Sequence, residues 1–351
     1  MKVAEPRTTS VWNKTFLVSI ALLLFASACG GGGEKTEGGE KKRSLTVYSG
    51  RGEDLVGPLL KKFEEGSGVS VEVRYGESAD LALLLGEEGD RSKADVFFAQ
   101  SPGAVGFLSG KDLLADLDED LLAEVPGGFR SKSGKWVGVS GRQRVIVHNP
   151  SLIKAEDLPA SVFDLTDPKF KGKVAVAPNN ASFQDFLTAM TKLKGETTTA
   201  DWLKGMAANE SPVFAKNDAI VAAVAKGEVA MGLVNHYYNV RHLAENPSAP
   251  SRNYYFPGQD LGSIVLPATA SILKSSEQKD VAVEFIAFLL SKQGQEYFRD
   301  ETSEYPLAAG VTAEAGLPAL DPSKSVPYDF DDLGEGLEKT AKLIAESGIS
   351  N

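Results

Sequence analysis

SLTVYSG at residues 44–50, EDLVGPLLKKFEEGSG at 53–68, VSVEVRYG at 69–76, SADLALLLGEEG at 78–89 and ADVFFAQ at 94–100 decide the fold class. The first, third and fifth are short runs rich in β-branched and aromatic residues, and VSVEVRYG alternates apolar with polar positions as a half-buried strand does. The second is amphipathic and stops at Gly68, and the fourth opens on Ser78, a good helix-capping residue. Strand, helix, strand, helix, strand is the order of an α/β protein with a mainly parallel sheet and helices on both faces.

The alternation continues outward. WVGVSG (136–141), RVIVHN (144–149), KVAVAP (173–178) and VAMGLVN (229–235) read as strands, and ASFQDFLTAMTKLKG (181–195), TADWLKGMAAN (199–209) and AIVAAVAKG (219–227) read as helices. SIVLPATASIL (263–273) adds strand, VAVEFIAFLLSKQGQEYF (281–298) a single long helix, and LGEGLEKTAKLIAESG (333–348) a terminal helix. A chain of 351 residues exceeds what one core usually serves, so two α/β lobes are expected, with no solenoid repeat.

Composition narrows the function. With 42% hydrophobic and 24% charged residues the chain is globular rather than disordered. A net charge of −11 argues against nonspecific nucleic-acid binding, which needs a basic face to neutralise phosphates. One Cys excludes an internal disulfide and a Cys-rich metal site.

That Cys is placed informatively. Residues 1–28 carry Lys2, Arg7 and Lys14, an apolar run FLVSIALLLF too short to span a bilayer, and the small residues Ala26, Ser27 and Ala28, which is the build of an export signal. ASAC followed by Gly resembles a lipoprotein lipobox, so cleavage before Cys29 and lipidation of Cys29 are expected. GGGGEKTEGGEKKRS then makes residues 29–43 a flexible tether, and the protein is expected outside the cytoplasm, held to the cell membrane by its lipid.

No enzyme motif stands out. G-x-S-x-G, the P-loop, HExxH and a G-x-G-x-x-G turn after the first strand are all missing, and His148, His236 and His242 form no helical pair. The unusual stretch is VNHYYNVR. If Asn235 or His236 caps the following helix, Tyr237 and Tyr238 fall in its first turn about 100° apart, where their oxygens can converge near unpaired backbone N–H groups. Spacing alone leaves open the alternative that one ring enters the core and the other covers the surface. Tyr254 and Tyr255 form a second pair, read as structural with rings on opposite faces. GESAD, FAQSPG, SGRQR, PNNAS and AKND all follow strands, where open α/β sheets bind ligands.

In order from about Ser44 to Val311, the segments LTVYSGR, GDRSKADVFFAQSPG, WVGVSGRQRVIVHN, LTDPKFKGKVAVAP, FAKN, NHYYNV, NYYFPG and EYPLAAGV resemble the bacterial ferric-ion-binding proteins, substrate-binding components of iron ABC transporters. The resemblance implies a two-lobed, type II periplasmic-binding-protein-like fold. Its N-terminal lobe would be residues 44–142 plus 266–317, its C-terminal lobe 143–265 plus 318–351, with crossings near Gly141 to Arg144 and Ser263 to Leu266. It implies a non-enzymatic, monomeric receptor that captures Fe(III) and passes it to an ABC permease. Tyr237 and Tyr238 would be phenolate ligands. Gln100, Asn180, Ala181, Ser182, Asn217 and Asn235, with Arg51 as a further candidate, would cradle a synergistic phosphate or carbonate.

The pattern departs from the family at three places. Gly52 stands where several members have His, Ala99 where they have Glu, and PNNASF lacks the Tyr that others carry in the anion loop. Water, a bidentate anion, or an acid such as Glu53 or Glu77 would complete the shell. A receptor for a small anion such as a phosphonate or sulfate, or an exported enzyme on the same fold, remains an alternative at this stage.

Overall fold

The computed structural model describes residues 43–320, 326 and 328–349; the signal-like segment, Cys29 and nearly all of the Gly-rich tract lie outside the described residues. The opening alternation is β1 (Ser44–Ser49), α1 (Glu53–Ser67), β2 (Ser70–Tyr75), α2 (Ser78–Glu88) and β3 (Val96–Ala99). Helix α1 buries Val56, Leu59, Leu60 and Phe63, one stripe at helical spacing. It stops where Gly68 adopts φ 71° and returns its N–H to the Glu64 carbonyl, a left-handed cap that a side chain would disfavour.

Two short helices, α3 (Pro102–Gly110) and α4 (Glu119–Ala123), lead to β4 (Val137–His148). Then come β5 (Val174–Ala175), α5 (Ala181–Lys194), α6 (Glu196–Ala208), α7 (Asn217–Lys226), β6 (Met231–Asn235), α8 (His236–Glu245) and β7 (Arg252–Tyr254). The chain finishes with β8 (Val265–Ile272), α9 (Lys279–Leu290), α10 (Lys292–Asp300), β9 (Tyr305–Pro306) and α11 (Leu337–Ser347).

Strand order is β2-β1-β3-β8-β4-β6-β5, with β7 and β9 also on β4. The outer pairs β1–β2, β1–β3 and β5–β6 are parallel, whereas β8, β4, β7 and β9 pair antiparallel with their neighbours, so the sheet is mixed. WVGVSG and RVIVHN, expected as two strands, are one. From Val137 to Gln143 strand β4 pairs with β8, and β9 joins it at Ser140 and Gly141; from Arg144 to His148 its partners are β6 and β7. It therefore crosses from one half of the sheet to the other at Gly141–Arg144. Alternation along this strand puts Arg142 and Arg144 on the same face.

Beyond the crossing, Ile146 joins the large core while Val145 and Val147 join a second cluster with Ile220, Val221 and Val224 of α7. Both faces of this half are covered, as the sequence order requires. The expected long helix at 281–298 is two helices. Ser291 is extended (φ −62°, ψ 162°), and its hydroxyl accepts the Gly294 N–H, which caps α10 and ends α9.

The C-terminal stretch Phe330–Gly336 lies against α3, where Asp331 accepts hydrogen bonds from the Trp136 indole, the Ser131 hydroxyl and the Lys132 N–H. Helix α11 then packs on α5 and α6, with the Thr340 and Thr188 hydroxyls 2.7 Å apart. At the α3 contact Gly334 meets Gly106 backbone to backbone, and a methyl on Gly334 would collide with the main chain of Gly106 and Phe107. Gly334→Ala should cost about 1–3 kcal/mol, the range for overpacking. Thermal unfolding checks this, and an unchanged melting temperature would mean that the contact yields freely.

Candidate ligand-binding site

Strand β6 runs directly into α8. Asn235 is the extended N-cap (φ −88°, ψ 146°), so Tyr237 and Tyr238 occupy the first turn, the placement that a cap at Asn235 entails. Their rings stack with centroids 4.2 Å apart and planes at 27°, facing one another rather than parting to core and surface. Tyr237 is only 4% exposed. Burial pushes its hydroxyl well above the ordinary phenol value, Tyr238 and Glu304 push the same way, and Arg142 and Arg51 oppose them. In the free protein Tyr237 therefore stays protonated at neutral pH.

Three guanidiniums are buried beside this pair. Arg51, at the end of β1, donates from Nη2 to Glu304 Oε1 at 2.7 Å, and Ser140 donates to Glu304 Oε2 at 2.5 Å. Arg142 donates to the Gln100 carbonyl, and Arg144 donates to Ser182 Oγ at 3.3 Å while its guanidinium lies over the Phe183 and Phe186 rings. Arg51 Nε and Nη1, Arg142 Nε, and Arg144 Nε and Nη2 are buried without an acceptor among the described residues. Burial lowers Arg144 to about 9, with Arg142 adding to the fall and Tyr238 and Asp185 resisting it. Such donors are costly unless a ligand satisfies them.

The remaining candidates join the same place. Asn180 caps α5, and its Oδ1 accepts from the Ser182 N–H (3.1 Å), the Ser182 hydroxyl (2.6 Å) and Asn217 Nδ2 (3.3 Å). Ala181 opens that helix. Asn235 pairs with Arg144 across β6 and β4, and both polar atoms of its side chain are buried without a partner. Gln100 donates its N–H to Ser78 Oγ at 2.9 Å, at the start of α2. Hydrogen bonds thus link Gln100 to Arg142 and join Asn180, Ser182, Asn217 and Arg144, while charge interaction links Arg51, Arg142 and Arg144 to the tyrosines.

Other expectations fare differently. Glu53 and Glu77, offered as shell-completing acids, are exposed at the starts of α1 and α2. The acid whose charge acts on Tyr237 is Glu304, from EYPLAAGV, whose oxygens already accept from Arg51 and Ser140. His236 is held by the Gln143 N–H on Nδ1 (3.1 Å) and by the Ser303 carbonyl at Nε2 (2.9 Å), and burial lowers it to about 4, so it supports the turn as a neutral ring. Tyr254 donates to the Pro159 carbonyl at 2.9 Å and packs on the large core, while Tyr255 packs on the second cluster, the opposite-face arrangement expected of a structural pair. Among the described residues no three His, Cys, Asp or Glu gather to hold a metal. The hard oxygen donors of the site are the phenols and the carboxylates of Glu304 and Asp185, both of which already accept hydrogen bonds.

Arg142 and Arg144 are what sequence reasoning missed. SGRQR looks like a turn, and the available signal was two arginines at strand spacing between two apolar halves.

The model of a family described as bacterial extracellular solute-binding protein matches residues 91–335. The chain belongs to this family. A curated relative, the Fe(3+)-binding periplasmic protein of Serratia marcescens, is 33% identical over 311 residues, 88% of this chain and 91% of that protein. The major ferric iron-binding protein of Neisseria meningitidis serogroup B is 32% identical over 309 residues, 87% of this chain and 93% of its own length. Among solved structures, iron-bound HitA from Pseudomonas aeruginosa superposes with a TM-score of 0.82 at 34% identity, over 87% of this chain and 99% of that one. The fold is the two-lobed type II binding-protein fold, and this solute-binding protein is not an enzyme.

An unpaired buried cation opposes folding, whereas an apolar side chain of similar length does not. Arg144→Met keeps bulk over Phe183 and Phe186 and removes the charge. The ligand-free variant should unfold at the wild-type temperature or above; a drop of several degrees would mean that the guanidinium supports the fold.

Proposed function

We propose that this solute-binding protein captures Fe(III) together with a small oxyanion and delivers it to the permease of an ABC transporter. The observation that carries the reading is the stacked pair Tyr237 and Tyr238 at the N-terminus of α8, the first ring buried and the second half-buried, beside three buried guanidiniums. Fe(III) is a hard cation suited to phenolate oxygen. Relatives named for ferric iron binding support the same solute.

Charge supports the anion. Iron's three positive charges and those of Arg51, Arg142 and Arg144 meet two phenolates and the carboxylates of Glu304 and Asp185, which leaves two positive charges. Carbonate or hydrogen phosphate supplies the balance. Asn180, Ala181, Ser182, Asn217, Asn235 and Gln100 would orient it by hydrogen bonds, and the helix N-termini of α5 and α8 favour negative charge. The orphaned N–H groups of Arg51, Arg142 and Arg144 extend that donor set. The same guanidiniums also suit a metal-free receptor for a phosphonate or sulfate, and this is the second reading.

In the proposed organisation residues 44–142 plus 266–317 form one lobe and 143–265 plus 318–351 the other, in a monomer. Residues 1–28 are removed, Cys29 carries the lipid, and 29–43 tether the receptor beside its permease. Cys29→Ala should abolish lipid labelling, and a labelled variant would refute the anchor.

Ferric titration separates the two readings. Phenolate ligation gives a visible orange-red absorption, lost in Tyr237→Phe and Tyr238→Phe and kept in Tyr254→Phe and Tyr255→Phe. Because Tyr237 is protonated in the free protein, binding releases protons, so retention strengthens as pH rises and fails in acid. Proton release in unbuffered solution measures this. A colourless wild-type protein, or full colour in both variants at positions 237 and 238, would discard iron in favour of the anion receptor.

A further inference from the structure

Ser101 has no part in the site as described and Asp185 enters it only through its charge, yet both are buried against it. Ser101 is the N-cap of α3, directly after Gln100, while Asp185 lies on α5, one turn beyond Ser182. The Ser101 hydroxyl donates to Asp185 Oδ1 at 2.7 Å, joining the two proposed lobes across 84 positions of sequence. A serine at an N-cap ordinarily turns its oxygen to its own helix, but Ser101 makes no such cap bond. Its hydroxyl is directed across the cleft instead.

Asp185 is equally hard to explain within its own lobe. Among the described residues its one side-chain hydrogen bond is to Ser101, and Oδ2 is buried without a partner. Burial raises the carboxyl to about 6, against the pull of Ser101, Arg142 and Arg144. A carboxylate so placed destabilises the closed form unless something across the cleft holds it.

The site itself must open. Tyr237, Arg51, Arg142, Arg144 and Asn235 are buried, so a solute reaches them only when the lobes separate. We propose that the Ser101–Asp185 hydrogen bond is a closure latch: it forms when the lobes meet, breaks when they part, and sets how long a bound solute is retained. Both groups recover water on opening, so the bond acts on the open–closed equilibrium rather than on the folding of either lobe. Asp185 also faces Arg142 and Arg144, which couples closure to the charge of the anion pocket. Its identity as a latch rests on the two-lobed capture reading, and the test separates the two.

The experiment compares the full chain with Ser101→Ala, Asp185→Asn, their double variant and Ser101→Thr. Loss of ferric colour to excess chelator reads retention. A hydrogen bond to a charged group corresponds to release about 10- to 100-fold faster in each single variant. The double variant should be no faster than the faster of the singles, because either change alone already removes the charge-assisted bond, and Ser101→Thr should retain near wild-type release. Melting of the ligand-free forms should stay unchanged. Wild-type release in both single variants, additive effects, or a loss confined to ligand-free melting would overturn the latch. X-ray scattering with saturating inorganic phosphate reads closure without iron: larger radii in the single variants support the latch, and radii equal to wild type overturn it. A colourless wild-type chain would refute ferric binding, and the scattering comparison would still judge the latch.

Discussion

Three positive charges share one space from which water is excluded, and the structure around the cleft answers that constraint. Arg142 and Arg144 are two residues apart on β4, and Arg51 arrives from the end of β1. Like charges held this close in low dielectric repel strongly. Glu304 neutralises Arg51 directly, and Asp185 acts on Arg142 and Arg144 from α5. What the protein leaves uncompensated is a set of N–H donors beside two stacked phenols. A binding protein can tolerate this imbalance because its ligand removes it, whereas a purely structural cluster would have no reason to keep it.

The fold gathers these groups by a simple device. One strand, β4, belongs to both halves of the sheet, so residues at its crossing stand between the lobes by construction. Gly141 permits close approach there, since a Cβ at this position would press on the side chains of Leu307, Val265 and Tyr305. Around the crossing the ends of β1, β3 and β6 deliver Arg51, Gln100 and Asn235, each just before or at a turn into a helix. Asn180 and Asn217 come from the starts of α5 and α7. Backbone dipoles and side-chain donors therefore converge without any long loop. Behind them, the terminal stretch at Phe330–Gly336 and α11 connects α3, whose start carries Ser101, with α6 and with α5, whose start carries the anion loop.

Local pattern was sufficient for much of this. The βα order from Ser44 to Gln100 and the placing of Asn180 and Ser182 at a helix start follow from periodicity and capping, which neighbours in sequence determine, whereas the first-turn place of the tyrosines hung on which residue caps α8. The break between α9 and α10 was harder to see, because Ser291 lies in a run that is otherwise helical on both sides, and only its extended backbone and bond to Gly294 reveal a cap.

What the sequence by itself determined is the alternation of elements, the acidic composition and the candidate phenol pair, since each depends on short-range spacing or bulk composition. Tertiary structure alone decided that WVGVSG and RVIVHN are one strand running through SGRQR, that the charge of Glu304 acts on Tyr237 while Glu53 and Glu77 stay exposed, and that Ser101 turns from its own helix to Asp185. The physical reason is the same in each case. A polar side chain carries no local mark of whether it will be buried, and its partner is fixed by which distant segment the folded sheet brings against it.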